Sequence, residues 1–140
     1  MDNLSMPKND VIPVLVYSNV GTAINWLCEN FGFTERLLIG NHRAQLNVGN
    51  AAIVITSTQN IPVSKESIKS NSIMVRIHDL DSHFVKVKKS GCNILNEPQD
   101  YPYGERQYTV EDFEGRIWTF SQTIANISPD KWGGIAKNLD

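Results

Sequence analysis

Residues 35–57 read ERLLIGNHRAQLNVGNAAIVITS, and two Gly-Asn dipeptides divide this stretch into three runs rich in apolar side chains. Glycine readily adopts the positive φ that a two-residue hairpin turn requires, so each dipeptide predicts a tight turn between antiparallel strands. We therefore expect strands over residues 35–39, 42–48 and 51–57, which together form a three-stranded meander.

The chain before this meander predicts one strand and one helix. Residues 11–17 (VIPVLVY) are rich in β-branched and aromatic side chains, which favours a strand. Asn19 is suited to cap a helix that starts near Val20, and apolar residues recur at helical spacing until Gly32 ends it. The predicted order of elements is therefore βαβββ.

The second half of the chain repeats this order. SIMVRI at residues 72–77 predicts a strand, Asp79 predicts a helix cap 60 positions after Asn19, and Gly91 ends the helix. We infer an α+β fold that is built from duplicated βαβββ units.

The second unit differs from the first in one connection. Residues 96–104 (NEPQDYPYG) predict a long loop where the first unit has a compact Gly-Asn turn. A hairpin of two strands, at 106–112 and 116–122, completes the unit. Tyr101 and Tyr103 in the loop either form a lid over one face of the sheet or only pack this long connection.

Length and composition predict a single domain over residues 1–140. Its parts are a first unit at about 11–57, a polar linker loop at 58–71, a second unit at about 72–122 and a tail at 123–140. The cysteines Cys28 and Cys92 form no CxxC motif, and we expect both to be reduced packing residues.

The charge balance excludes some classes of partner. The chain has 13 Lys plus Arg against 15 Asp plus Glu, with no basic cluster, which argues against nucleic-acid binding. No stretch approaches the roughly 18 apolar residues of a membrane span, and the N-terminus carries no apolar targeting segment. We expect a cytoplasmic protein that does not bind membranes.

Two stretches carry a family resemblance: NVGTAINWLCENFGF at 19–33 and YGERQYTVEDFEGRIWTF at 103–120. With the duplicated βαβββ pattern, they resemble the vicinal oxygen chelate superfamily of glyoxalases, bleomycin resistance proteins and dioxygenases. This resemblance implies that the two units form a mixed, cup-shaped β-sheet with helices on its outer face. The tail SPDKWGG at 128–134 is similar to the PhnB-like or glyoxalase-related subgroup. The resemblance implies a homodimer, and short exposed strand edges that need covering favour the same assembly.

Metalloenzymes of this superfamily take two metal ligands from each unit, and the resemblance maps these places near Ile12, Ile55, Ser72 and Thr119. Aliphatic side chains offer no lone pair to a divalent ion, and shifting the alignment by one residue supplies no ligand set. We therefore expect no metal ligand, no cofactor and no catalytic residue.

The resemblance also implies which strand residues line the cup, because successive side chains of a strand point to opposite faces. A turn over Asp112–Gly115 would set Arg116 opposite Glu111, and this pairing adds Arg106, Tyr108 and Val110 to the cup. The predicted cup also contains Ile12, Val14, Val16, Ile53, Ile55, Ser72, Met74, Arg76, Ile117, Thr119 and Ser121. The candidate ligand-binding residues are Arg76, Arg106, Tyr108, Met74, Thr119 and Ser121.

These residues favour a metal-independent protein that binds or sequesters a small organic molecule, as bleomycin resistance proteins do. Two arginines on an aliphatic wall favour a flat or anionic ligand, unless both pair with carboxylates at the rim. One alternative is a metal-dependent lyase or isomerase of glyoxalase type, with ligands from other residues. Another is an effector-sensing module that partners a transcription regulator.

Overall fold

The structure is a computed structural model that describes residues 1–57 and 64–139. The chain divides into two compact units. Unit 1 consists of Met1–Asn71 with Asp112–Arg116, and unit 2 consists of Ser72–Glu111 with Ile117–Asp140. No helix of the described residues is long and apolar enough to cross a membrane.

Unit 1 contains the first βαβββ motif. Its elements are β1 (Val14–Tyr17), α1 (Val20–Phe31), β2 (Thr34–Ile39), β3 (Arg43–Val48), β4 (Ala51–Ser57) and the short helix α2 (Lys65–Lys69). The strands form one sheet in the order β1-β4-β3-β2, with β1 parallel to β4 and the other pairs antiparallel.

Local sequence signals fix the ends of α1 as predicted. The side chain of Asn19 accepts a hydrogen bond of 2.8 Å from the backbone N–H of Thr22, and Gly32 ends the helix at φ +80°. The buried side of α1, which includes Ala23 and Leu27, joins the sheet in the core of unit 1.

Unit 2 contains the second βαβββ motif. Its elements are β5 (Ser72–Arg76), α3 (Leu80–Lys89), β6 (Asn93–Tyr101), β7 (Glu105–Glu111), β8 (Ile117–Thr123) and a 3₁₀ turn at Pro129–Lys131. Its strand order, β5-β8-β7-β6, repeats that of unit 1. The predicted α+β duplication is therefore confirmed, and the described strands form two four-stranded mixed sheets.

The core of unit 2 lies between α3 and one face of its sheet. Trp118 and Phe120 are fully buried on that face, and Leu80 and Val87 are fully buried on the helix. The backbone N–H of Leu80 donates to the side-chain oxygen of Gln122 at 2.9 Å, which ties the start of the helix to β8.

Two predicted loops are partly wrong. The linker prediction at 58–71 extends over α2, which Ser64 caps by accepting from the N–H of Ser67 at 3.1 Å, while 58–63 lie outside the described residues. The predicted loop at 96–104 is mostly strand, because β6 continues to Tyr101. Two register shifts against β7 absorb its extra residues, and β6 is an edge strand, where Pro98 is tolerated.

Candidate functional site

The register of the β7–β8 hairpin decides which side chains share a face in unit 2. Glu111 lies opposite Ile117, and Tyr108 lies opposite Phe120. The prediction that Tyr108 faces Thr119 is therefore wrong by one residue. The turn is one residue longer than predicted, because the N–H of Asp112 donates a hydrogen bond to the carbonyl of Arg116. Residues 112–116 therefore lie outside the strand pairing of β7 with β8.

This register places Tyr108 on the face that packs against α3, so its predicted position in the cup is wrong. The ring is fully buried, stacks on Phe120 at 5.4 Å and meets the edge of Phe84 at 5.2 Å. Its hydroxyl lies 2.5 Å from Nδ1 of His83. Burial raises the pKa of Tyr108 above its ordinary value.

Arg106 lies on the same face as Tyr108, and its predicted position in the cup is also wrong. Its Nε donates to Asp81 Oδ1 at 2.9 Å, and Nη1 donates to Asp100 Oδ1 at 2.8 Å. These hydrogen bonds, that of Asp100 first, raise the pKa of Arg106. For this arginine, the structure matches the predicted alternative of pairing with carboxylates.

Among the residues that the structure describes, α3 is the α-helix of unit 2, and it packs against one face of the sheet. We call the opposite face the helix-free face. Strand pairing sets Met74 opposite Thr119 and Arg76 opposite Ser121, and Ser121 is in turn opposite Gln107 on β7. The four residues that were predicted from the sequence, Met74, Thr119, Arg76 and Ser121, therefore share one face, as expected.

The helix-free face borders an open cavity of about 530 Å³. The residues that matter for its chemistry are Met74, Arg76, Tyr103, Glu105, Ser121 and Thr123. Thr119 is not part of the lining, and its hydroxyl instead lies 3.0 Å from that of Thr109.

The polar centre of the cavity is a carboxylate held by two donors. Ser121 is only 6% exposed, and its hydroxyl donates to Glu105 Oε1 at 2.6 Å. The side-chain amide of Gln107 donates to the same oxygen at 2.9 Å. Glu105 was not among the residues predicted from the sequence, although alternation along β7 combined with the correct register would have placed it beside Ser121.

Arg76 supplies the positive charge of the cavity. It is exposed at the end of β5, directly opposite Ser121. Within the part of the chain that the structure describes, no carboxylate or hydrogen-bond acceptor engages its guanidinium. The cavity therefore presents an unpaired fork of donors near an oriented carboxylate.

Tyr103, which lines the cavity, belongs to a cluster of aromatic side chains. Tyr101 and Tyr103 stack with ring centroids 5.3 Å apart, and Tyr103 contacts Trp132 edge-on at 5.7 Å. Burial, followed by the nearby charge of Glu105, raises the pKa of Tyr103. Of the two tyrosines, Tyr103 lines the cavity.

The predicted cup residues of unit 1 do not all share a face. Val14 lies opposite Val54, while Ile55 lies opposite Leu15. Ile53 and Ile55 are two positions apart on β4 and therefore point to the same face, which is opposite to that of Val14. The prediction that these two isoleucines share a face with Val14 is wrong. Both belong to the buried core instead.

The N-terminal segment covers only part of the unit 1 face that carries Val14, because Val14 itself is 52% exposed. Gln45, opposite Val54 in the ladder, is only 3% exposed and donates to the carbonyl of Ser5 at 2.7 Å. Arg36 donates to the side chain of Gln45 and to the carbonyls of Leu4 at 3.1 Å and Met6 at 3.3 Å.

The residues at the expected metal-binding places do not suit a divalent ion. Ile12 and Ile55 have no donor atom, and Ser72 and Thr119 offer only neutral hydroxyls. Across residues 1–57 and 64–139, no group of three or more His, Cys, Asp or Glu side chains could hold a metal ion. Arg76 adds a positive charge to the same face as Ser72 and Thr119.

Comparison with known proteins gives a family and a set of similar folds. A sequence model described as the glyoxalase/bleomycin resistance protein/dioxygenase superfamily matches residues 12–120. No curated protein matches the chain. Among solved structures, TioX from Micromonospora sp. ML1 is 28% identical, with a TM-score of 0.68, and the match covers 86% of this chain and 100% of that one.

More distant structures show the same fold. The fosfomycin resistance protein FosX from Listeria monocytogenes is 14% identical, with a TM-score of 0.64 and coverage of 82% of this chain and 93% of its own. A glyoxalase/bleomycin resistance protein/dioxygenase from Alicyclobacillus acidocaldarius is 12% identical, with a TM-score of 0.65 and coverage of 89% and 96%.

Proposed function

We propose that this chain, which belongs to the glyoxalase/bleomycin resistance protein/dioxygenase superfamily, binds or sequesters a small organic molecule without a metal ion. The observation that carries the proposal is the cavity of about 530 Å³ on the helix-free face of unit 2. Its volume lies within the range of about 300–1,000 Å³ that is typical of small-molecule sites.

The lining of the cavity supports binding. Met74 is 61% exposed, and together with Tyr103 it offers apolar surface to a ligand. Arg76, Glu105 and Ser121 add a few polar groups that can orient the bound molecule, which is the usual composition of such sites.

The donor set supports metal independence. A catalytic zinc site takes three nitrogen, sulfur or oxygen ligands from the protein and keeps one open position for substrate. The hydroxyls of Ser72 and Thr119 and the guanidinium of Arg76 make the unit 2 face unsuited to that task. We therefore favour a binding protein over a metal-dependent lyase or isomerase.

Native mass spectrometry of freshly purified protein tests this proposal, because it reports retained ligand and metal together. We expect one small organic molecule per chain and no stoichiometric metal. One Zn, Ni, Mn or Fe ion per chain, removed by EDTA together with lyase or dioxygenase activity, would contradict the proposal. Co-purification with a transcription regulator would favour the effector-sensing alternative.

We also propose that the protein is a homodimer of the PhnB-like subgroup. The sheet of unit 1 ends in strands β1 and β2 and that of unit 2 in β5 and β6, and exposed strand edges favour association. The tail SPDKWGG at 128–134 supports the subgroup. Size-exclusion chromatography with light scattering should give twice the chain mass of 15.7 kDa, and a mass of one chain would contradict the dimer.

A further inference from the structure

We propose that the ligand of the unit 2 cavity carries two groups: an anionic group bound by Arg76, and an ammonium or hydroxyl donor bound by Glu105. This inference rests on the proposed function, and it names the class of molecule that the same cavity accepts. It follows from the positions of the two charged side chains on either side of Ser121.

Arg76 selects the anionic group. A guanidinium offers a planar fork of N–H donors that matches the two oxygens of a carboxylate. No ion pair of the described residues uses this fork, in contrast to Arg106, which already binds Asp81 and Asp100. A ligand carboxylate can therefore bind Arg76 without first displacing a partner.

Glu105 selects the donor group. Ser121 and Gln107 both donate to Oε1, and they fix the direction of the carboxylate. Oε2 accepts no hydrogen bond from the described part of the chain. An ionised carboxylate accepts hydrogen bonds and donates none, so Oε2 is suited to an ammonium or hydroxyl of the ligand.

The spacing of the strands fixes the approximate size of the ligand. Arg76 lies on β5 and Glu105 on β7, and β8 runs between these two strands. Neighbouring strands are about 4.8 Å apart, so the two backbones are separated by roughly 10 Å across the sheet. Met74 and Tyr103 line the same cavity and favour an apolar, flat spacer between the two ligand groups.

The charge pair also disfavours simpler ligands. A purely anionic molecule large enough to fill the cavity meets the carboxylate of Glu105, and a purely cationic one meets Arg76. Like charges brought together in a binding site oppose association, which makes the pair a source of specificity. A molecule with both groups satisfies each charge.

Three matched probes test this proposal: 4-(aminomethyl)benzoate, benzoate and benzylamine. Each is titrated into the isotopically labelled full-length protein, and binding is followed by the amide NMR signals of β5, β7 and β8. We expect 4-(aminomethyl)benzoate to bind at least tenfold more tightly than either single-charge probe.

Two substitutions assign the contacts, and a third is the control. Arg76→Met should remove the advantage of 4-(aminomethyl)benzoate over benzylamine, and Glu105→Gln should reduce its advantage over benzoate. Arg106→Met changes the same residue type on the opposite face and should leave all three affinities unchanged. The amide spectrum of each variant shows whether it is folded.

The outcomes separate this inference from the proposed function. If all three probes bind the cavity equally, or if Arg76→Met and Arg106→Met behave alike, the two-group ligand is wrong while small-molecule binding stands. If no probe shifts the signals of the helix-free face, the inference is also overturned, and native mass spectrometry still decides the proposed function independently.

Discussion

The hydroxyl of Ser121 donates a hydrogen bond of 2.6 Å to Oε1 of Glu105 on the neighbouring strand. Ser121 is almost fully buried, whereas Glu105 is half-buried and faces the cavity. The buried hydroxyl of Ser121 thus fixes the direction of the Glu105 carboxylate, which faces the cavity. This arrangement makes Ser121 a positioning residue for the carboxylate.

Ser121→Ala should weaken the binding of 4-(aminomethyl)benzoate about threefold to tenfold. Glu105 loses one of its two donors, and a hydrogen bond of this kind contributes about 0.5–1.5 kcal/mol. Isothermal titration calorimetry or NMR titration measures the change. The sharpest comparison is with Glu105→Gln, because a double variant that is no weaker than Glu105→Gln alone shows that Ser121 acts through Glu105.

Thr119→Val is the matched control on the same face. Valine keeps the β-branched shape but removes the hydroxyl, which contacts Thr109 at 3.0 Å and not the cavity. We expect unchanged affinity for 4-(aminomethyl)benzoate. A loss as large as that of Ser121→Ala would mean that the ligand lies deeper on the sheet than the cavity indicates.

Gly104→Ala should lower the free energy of unfolding by at least about 2 kcal/mol. Gly104 lies at φ +86°, where a side chain is strained, and a Cβ there would lie 2.1 Å from the carbonyl oxygen of Ala125. The Gly104 carbonyl also accepts from the N–H of Ile124 at 2.9 Å, which fixes the tail at this turn.

Gly49→Ala separates backbone strain from the close approach to Ala125, which are the two effects expected at Gly104. Gly49 also has positive φ, +57°, but a Cβ there meets nothing within 4 Å. Its cost should be about 1 kcal/mol, from backbone strain alone. Urea unfolding of both variants measures the difference, and equal losses would contradict the role of the close approach to Ala125.

Local chemistry predicted most elements of the fold. Asn19 and Asp79 cap α1 and α3 as expected, because a side-chain acceptor next to an apolar helical stripe is a short-range signal. The glycines of both Gly-Asn dipeptides, Gly40 and Gly49, have positive φ. The first connection is nevertheless one residue longer than predicted, because Ile39 pairs with Arg43.

The composition of the site was harder to predict, because it depends on strand register. Hydrogen bonds between Asp112 and Arg116 include Arg116 in the β7–β8 turn, so the turn is one residue longer than predicted. The register shifts by one residue as a result, and Arg106 and Tyr108 lie on the face that packs against α3. Met74, Arg76 and Ser121 kept their predicted face because the parallel pairing of β5 with β8 does not depend on that turn.

Deletion of residues 2–7 should lower the free energy of unfolding by about 1–3 kcal/mol. This segment supplies the carbonyls that accept hydrogen bonds from Arg36 and Gln45. Its loss leaves the buried side-chain amide of Gln45 without one of its hydrogen-bond partners. Urea unfolding measures the change. Deletion of the equally long segment 135–140, in which Ile135 and Leu139 are exposed, should leave stability unchanged.

Tyr108→Phe should change how stability depends on pH above about 10. Burial raises the pKa of Tyr108 in the folded protein, whereas an unfolded tyrosine titrates near 10. Above that pH the unfolded wild-type chain releases this proton while the folded chain keeps it, so stability is lost as pH rises, by about 1.4 kcal/mol per pH unit. Phenylalanine has no proton to release and removes this contribution.

The two proteins should therefore converge in stability at alkaline pH. At pH 8 the variant lacks the contact between the hydroxyl and His83, and we expect it to be about 0.5–1.5 kcal/mol less stable than wild type. Between pH 10 and 11 the wild type alone loses the Tyr108 contribution, so the gap should close or reverse. Urea unfolding at pH 8, 10 and 11 measures both proteins. A gap that stays constant across this range would show that Tyr108 ionises as readily in the folded chain as in the unfolded one.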